Sequence, residues 1–107
     1  MATRRTGIEY EREVKKYLEN HGALYVIRSA GSHGPADMIV VDQTPRLIQC
    51  KAGKIGRADR DAVRRLSMKL GTMCTCELWY RDKYLHCVDQ YYAGVRIDSW
   101  SEPRRSR

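Results

Sequence analysis

Phenylalanine is missing from this sequence of 107 residues, and no apolar run approaches the roughly 20 residues that a membrane-spanning helix needs. The basic residues 1–6 are not followed by the apolar stretch that a secretory signal peptide requires. We therefore expect no membrane partner and a cytoplasmic location. In that reducing compartment the four cysteines should be free thiols, and Tyr, Trp, Leu, Ile and Val must fill the core.

Helix-turn-helix and zinc-finger motifs, which recognise DNA bases and have a known residue spacing, are also absent. Cys74 and Cys76 are one residue apart, whereas structural zinc sites use cysteine pairs separated by two to four residues. The sequence has 20 Lys and Arg against 13 Asp and Glu, a formal net charge of +7. A basic domain of this size favours a polyanionic partner, nucleic acid first. We expect contacts to the backbone and shape of that nucleic acid, not to its base sequence.

Hydrophobic periodicity and turn residues divide the chain into helices and strands of one domain, 1–107. The predicted elements are a helix over 8–21, strands over 23–28, 36–42 and 46–51, a helix over 57–70, and strands over 74–80 and 83–88. A loose basic arm, 1–6, precedes them. The remainder of the chain after residue 88 is predicted to be a tail, which ends in the basic stretch 101–107. The strand over 36–42 is almost entirely apolar, which predicts a central strand covered on both faces. This order favours an α/β sandwich around one mixed sheet.

Three polar residues are predicted to meet at one end of that sheet. Asp37 opens the second strand, and Gln49-Cys50-Lys51 ends the third. If these two strands pair antiparallel, Asp37 lies beside Lys51, and alternation places Gln49 on the same face as Lys51. A carboxylate and an amide oxygen suit Mg²⁺, which completes its shell with water and phosphate oxygens. Lys51 would then position the attacking water and stabilise developing charge on a phosphate.

Glu11 is a further candidate because it lies on the apolar stripe of the first helix, with Ile8 and Leu18 at helical spacing. A carboxylate that faces the core needs a metal ion or a cationic side chain as partner. The alternative is that Glu11 borders the stripe and pairs with Lys15 one turn later. The sequence alone leaves both interpretations open.

These residues resemble a known family. Asp37, an apolar strand and Gln49-Cys50-Lys51 are similar to the motif of PD-(D/E)xK nucleases. The stretch 7–14, which contains Glu11-Arg12, resembles the first-helix signature of archaeal-type Holliday-junction resolvases. The stretch 28–32, Arg-Ser-Ala-Gly-Ser, resembles the arginine- and serine-bearing loop of the same family. The resemblance covers about residues 7–54, in the order in which the family has these motifs.

The resemblance implies a restriction-endonuclease-like fold, with a mixed central β-sheet flanked by helices. It implies an endonuclease that depends on Mg²⁺, with Mn²⁺ as a possible substitute and no small-molecule cofactor. It implies a homodimer that cuts four-way (Holliday) junctions, a form of branched DNA, in recombination and repair. The metal ligands implied are Glu11, Asp37 and Gln49, with Lys51 and Ser32 as further catalytic residues. Arg12, Arg28 and Ser29 are implied to contact phosphates.

Gln49 departs from the family pattern, which has an acid at this position. The amide weakens the negative charge of the site and therefore the predicted metal affinity. Two alternatives follow. Beside the junction-resolving nuclease, the chain is interpreted as another PD-(D/E)xK DNA nuclease or, because of Gln49, as a non-catalytic module that binds DNA junctions and has lost the second acid.

The second predicted helix adds a basic surface. Arg57, Arg60 and Arg64 are predicted to share one face, away from Ala62 and the other apolar residues of the helix, and Lys54 precedes the helix in a loop. We expect these four cations to contact the DNA backbone in a salt-sensitive way. The alternative is a solvated helix face held by pairs such as Asp61 with Arg65.

Overall fold

The structure, a computed structural model, describes residues 4–28 and 36–104, and of Arg4 and Arg5 only the backbone. Its helices are α1 (Arg4–Asn20) and α2 (Arg57–Leu70), and its strands are β1 (Tyr25–Arg28), β2 (Met38–Val41), β3 (Arg46–Lys51), β4 (Thr75–Arg81), β5 (Leu85–Tyr92) and β6 (Val95–Pro103). The strands form one sheet in the order β1-β2-β3-β4-β5-β6. Only β3 and β4 pair in parallel, because α2 carries the chain back between them. The predicted α/β class and mixed sheet are confirmed.

Helix α1 packs on one face of the sheet through an apolar stripe. Tyr10, Val14, Tyr17 and Leu18, spaced by four, three and one residues, are all buried. They meet the inward side chains of β1, β2, β3, β4 and β5, and Trp79 of β4 is completely buried among them. Burial of each such large side chain contributes about 1.5–3 kcal/mol. This contact fixes the position of α1 across the end of the sheet where β3 finishes.

Helix α2 covers the opposite face, mainly over β4, β5 and β6. On the uncovered part of that face, Ile39 is 41% and Val41 39% exposed, while Met38 and Val40 are buried under α1. The prediction that the strand over 36–42 is covered on both faces is therefore wrong. A run of apolar residues does not distinguish a strand buried on both faces from one whose second face is left exposed. Neither described helix has the length and apolar character needed to span a bilayer.

The C-terminal segment differs from the prediction. Strand β5 continues to Tyr92, and β6 pairs with it from Val95 to Pro103, within the segment expected to be a tail. Ala93 and Gly94 make the turn with φ of 50° and 82°. Glycine suits position 94 for a second reason, since a Cβ there would lie 3.1 Å from Met68. At the other end, α1 begins at Arg4, within the predicted loose arm, and residues 105–107 lie outside the described part of the chain.

Candidate active site

A cleft of about 400 Å³ opens where β3 ends and α2 begins. The predicted site residues Glu11, Asp37, Gln49 and Lys51 all line it. Glu11 lies on α1, Asp37 directly before β2, and Gln49 and Lys51 at the end of β3. Asp59 of α2, which the sequence analysis did not single out, lines the same cleft. The structure therefore brings together residues that are up to 48 positions apart in the sequence.

Asp37 is held in place by the pairing of β2 with β3. The two strands run antiparallel, with Met38 opposite Ile48, as the site prediction required. The backbone N–H of Asp37 donates to the carbonyl of Ile48 at 2.7 Å. Its carboxylate Oδ2 accepts a hydrogen bond from the backbone N–H of Cys50 at 2.8 Å. Burial raises the pKa of Asp37, against the opposing influence of the Cys50 N–H and of the nearby Lys51 charge.

Glu11 enters the cleft from α1 beside Arg28. The guanidinium Nη2 of Arg28 lies 3.5 Å from Oε1 of Glu11, and the Glu11 side chain is only 20% exposed. Burial and then the Asp37 carboxylate raise the pKa of Glu11, whereas Arg28 lowers it. Lys15 pairs with Glu19 at 2.8 Å, so the predicted alternative of a Glu11–Lys15 pair is wrong.

Gln49 and Lys51 project from β3 on the face opposite to buried Cys50, as strand alternation predicts. The side-chain oxygen of Gln49 is buried and accepts no hydrogen bond from the residues that the structure describes. Lys51 is 43% exposed, and its Nζ lies 3.4 Å from Oδ1 of Asp59. Among the described residues, the cleft thus holds an amide oxygen without a hydrogen-bond donor, together with a fixed carboxylate and an ammonium group.

This donor set fits a hard cation such as Mg²⁺. Within 4–28 and 36–104, no three His, Cys, Asp or Glu side chains come together as a metal site. The candidate ligands are instead the carboxylate of Asp37, the unpartnered amide oxygen of Gln49 and the carboxylate of Glu11. Mg²⁺ binds through one or two carboxylates and keeps several waters or phosphate oxygens. Two carboxylates and one amide oxygen meet that requirement.

The predicted DNA contacts divide into two groups. Lys54 is exposed and lines the cleft, Arg12 is exposed on α1, and Arg28 borders the cleft beside Glu11. Ser29 and Ser32 lie outside the described residues, so their predicted contacts stay predictions.

The arginines of α2 share one side of the helix, but two of them are engaged in ion pairs. Arg57 is exposed, but Arg60 leans onto the sheet, where its Nε donates to Oδ2 of buried Asp89 at 3.1 Å. Arg64 Nε lies 3.8 Å from Oδ1 of Asp61. The predicted DNA contacts of these arginines stay predictions, whereas the predicted position of one apolar residue of α2 is wrong. Ala62, expected to face inward, is exposed as well.

Two features near the cleft were not predicted from the sequence. Asp59 caps the start of α2, and its position three residues after Gly56 was a recognisable capping signal. A second cleft of about 590 Å³ shares Ala52, Gly53 and Lys54 with the first and extends to Arg81 and Lys83 at the β4–β5 turn. Their position near Lys54 was not predicted, because it depends on the parallel pairing of β3 with β4.

The chain has the architecture of the PD-(D/E)xK nucleases. Two helices flank a mixed sheet, an Asp lies at the start of one strand, and Gln-x-Lys lies at the end of the next. Comparison with known families is more specific. The family model of archaeal Holliday junction resolvases (Hjc) matches residues 2–57, and the chain belongs to this family. The segment matched contains Glu11, Asp37, Gln49 and Lys51.

A solved structure agrees with this fold. The Holliday junction resolvase Hjc from Archaeoglobus fulgidus, an archaeal hyperthermophile, superimposes with a TM-score of 0.51 at 16% sequence identity. The alignment covers 91% of this chain and 83% of that one. No curated protein matches the chain.

Proposed function

We propose that this chain is a metal-dependent endonuclease that hydrolyses phosphodiester bonds of four-way DNA junctions in recombination and repair, and that residues 1–107 form its single nuclease domain. The observation that carries the proposal is the meeting of Glu11, Asp37, Gln49 and Lys51 in one cleft of a Holliday junction resolvase family member. As a DNA-processing enzyme it is expected to act in the cytoplasm.

Each residue of the cleft has a distinct part in this proposal. Asp37, Gln49 and Glu11 would hold Mg²⁺, or Mn²⁺ in its place. The ion supplies charge stabilisation and a more acidic water at the scissile phosphate. Lys51 donates hydrogen bonds to the attacking water or to a phosphate oxygen as negative charge develops. Ser32 is proposed as a further contact of the reacting phosphate.

The DNA backbone is proposed to follow the two joined clefts. Arg12, Arg28, Ser29, Lys54 and Arg57 would contact phosphates near the scissile bond, with Arg64 beyond them on α2, and Arg60 would add charge through the exposed part of its side chain. From Lys54 the second cleft leads to Arg81 and Lys83. Arg81 is already fixed there, because its Nε donates to the carbonyl of Ala52 at 2.8 Å.

We further propose that the chain acts as a homodimer. Tyr25, Ile27, Ile39 and Val41 form a two-by-two array of cross-strand neighbours on the uncovered sheet face. An exposed apolar array of this kind is characteristic of protein interfaces. Sedimentation of the wild type and of a variant with Ile27→Lys and Ile39→Lys tests this: the wild type should be dimeric and the variant monomeric. A monomeric wild type contradicts the dimer.

The decisive experiment incubates purified chain with a labelled four-way junction and with the matching linear duplex, in Mg²⁺ or in EDTA. Nicking of the junction that requires Mg²⁺ and spares the duplex is the expected result. Cutting of both substrates would favour another PD-(D/E)xK nuclease. Tight junction binding without cutting in any divalent metal would favour the non-catalytic binding module, which the replacement of the family's second acid by Gln49 makes a specific alternative.

A further inference from the structure

Asp59 is held by the start of its own helix. It occupies the third position of α2, after the N-cap Gly56. Its Oδ2 accepts a hydrogen bond from the backbone N–H of Gly56 at 2.9 Å. Its other oxygen, Oδ1, lies 3.4 Å from Nζ of Lys51. One oxygen of the carboxylate is thus anchored to backbone, and the second faces the cleft.

Lys51 needs such an anchor. A lysine side chain has four rotatable methylene groups and a strongly hydrated head, and this one is 43% exposed. Asp37 is the other carboxylate whose charge interacts with Lys51. In the proposed function, which this inference rests on, Asp37 binds a divalent cation, and that cation repels the ammonium group. Asp59 then becomes the carboxylate that keeps Nζ in the cleft.

We propose that Asp59 is a positioning residue of the nuclease, which holds the ammonium of Lys51 over the scissile phosphate. It does not itself touch the metal ion or the DNA. Because it acts through Lys51, its loss lowers the rate of cutting without lowering affinity for DNA. Affinity should rise slightly instead, because a negative charge next to the phosphate path has been removed.

The competing interpretation is that Asp59 serves only to cap α2. Asp59→Asn separates the two, since the amide oxygen still accepts from the Gly56 N–H but carries no charge for Lys51. Asp59→Glu keeps the charge and changes its reach. Asp61→Asn is the matched control, since Asp61 lies on the same helix, pairs with Arg64 at 3.8 Å and is not among the described residues that line the cleft.

The experiment measures three quantities for each variant: thermal unfolding, junction affinity in EDTA, and single-turnover cutting in Mg²⁺. Displacement of a catalytic group by about 1 Å costs up to about 100-fold in rate, so we expect Asp59→Asn to cut about 10-fold more slowly. Its affinity in EDTA should equal or exceed that of the wild type. Asp59→Glu should recover part of the rate, and Asp61→Asn should match the wild type in cutting rate and thermal stability.

Two results overturn the inference. If Asp59→Asn cuts within about twofold of the wild type, the Lys51 contact has no role in the reaction. If rate, affinity and thermal stability of Asp59→Asn fall together, Asp59 acts as a helix cap alone. Both results leave the proposed function intact because the wild type still cuts. A wild type that cuts no junction in Mg²⁺ overturns the proposed function itself and this inference with it.

Discussion

Gln49→Glu restores the acid that the family has at this position. The substitution should lower thermal stability without Mg²⁺ and raise it when Mg²⁺ is bound. The side-chain oxygen of Gln49 is buried, and the neighbouring carboxyls of Asp37 and Glu11 already have raised pKa values. Without metal, a third carboxylate there is unpaired and desolvated, so the variant should unfold at a lower temperature than the wild type. With metal it gains a charged ligand, and its affinity for Mg²⁺ should exceed that of the wild type.

The size of the expected change in Tm follows from the linkage between Mg²⁺ binding and folding. A cation present at about one hundred times its dissociation constant adds about 2.7 kcal/mol to the folded state. In a domain of this size each kcal/mol raises Tm by about 4–8 °C, so Mg²⁺ should raise the Tm of the variant by about 10 °C or more. The rise for the wild type should be smaller. Half-maximal junction cutting should accordingly need less Mg²⁺ in the variant.

The matched control is Gln43→Glu, which adds the same charge in an exposed turn at the other end of β3. Differential scanning fluorimetry across a Mg²⁺ titration, repeated at matched ionic strength with NaCl, separates binding from screening. Equal Mg²⁺-dependent rises in Tm for Gln49→Glu, Gln43→Glu and the wild type would refute the reasoning. Position 49 would then lie outside the metal site.

Three further predictions address the nuclease site and the core. Asp37→Asn should abolish cutting yet retain junction binding in EDTA and an unchanged Tm, because its amide oxygen still accepts from the Cys50 N–H; persistent cutting would show that the metal site is wrongly placed. Burial lowers the pKa of His86, so below about pH 6.5 the unfolded chain takes up a proton that the folded chain does not. Stability to urea should therefore be lost as pH falls from 8 to 5.5, and a midpoint independent of pH over this range would contradict it. Arg60→Ala should lower the free energy of unfolding by about 2 kcal/mol, measured by chemical denaturation. The substitution leaves the buried Asp89 carboxylate with the Ser99 hydroxyl as its remaining side-chain hydrogen-bond donor among the described residues. A loss under about 0.5 kcal/mol would make that ion pair irrelevant to folding.

The meeting of Asp37 with Gln49 and Lys51 could be predicted from the sequence because it depends on two local rules. A short turn between adjacent strands favours antiparallel pairing, and alternation fixes which side chains share a face. The observed register, with Met38 opposite Ile48, satisfies both. The roles of these residues in metal binding and catalysis stay predictions.

Contacts between distant elements could not be predicted in the same way. Arg60 appeared to belong to a solvated helix face, and its ion pair depends on Asp89, which is 29 residues further on. Strand β6 was missed because most of its residues are exposed and polar and its turn, Ala93-Gly94, is not one of the common hairpin dipeptides. Both features are set by packing partners that local patterns do not specify.

The charge balance of the cleft gives Gln49 a physical meaning. Among the described residues of the cleft and its border, three carboxylates, those of Glu11, Asp37 and Asp59, face three cations, those of Arg28, Lys51 and Lys54. A Glu at position 49 would leave this group one negative charge in excess before a metal ion binds. With the amide the group is neutral, so a divalent cation makes it positive and favours the approach of a phosphodiester. The same amide should lower the affinity for that cation. We infer that metal and DNA bind this cleft cooperatively, so that each raises the affinity for the other.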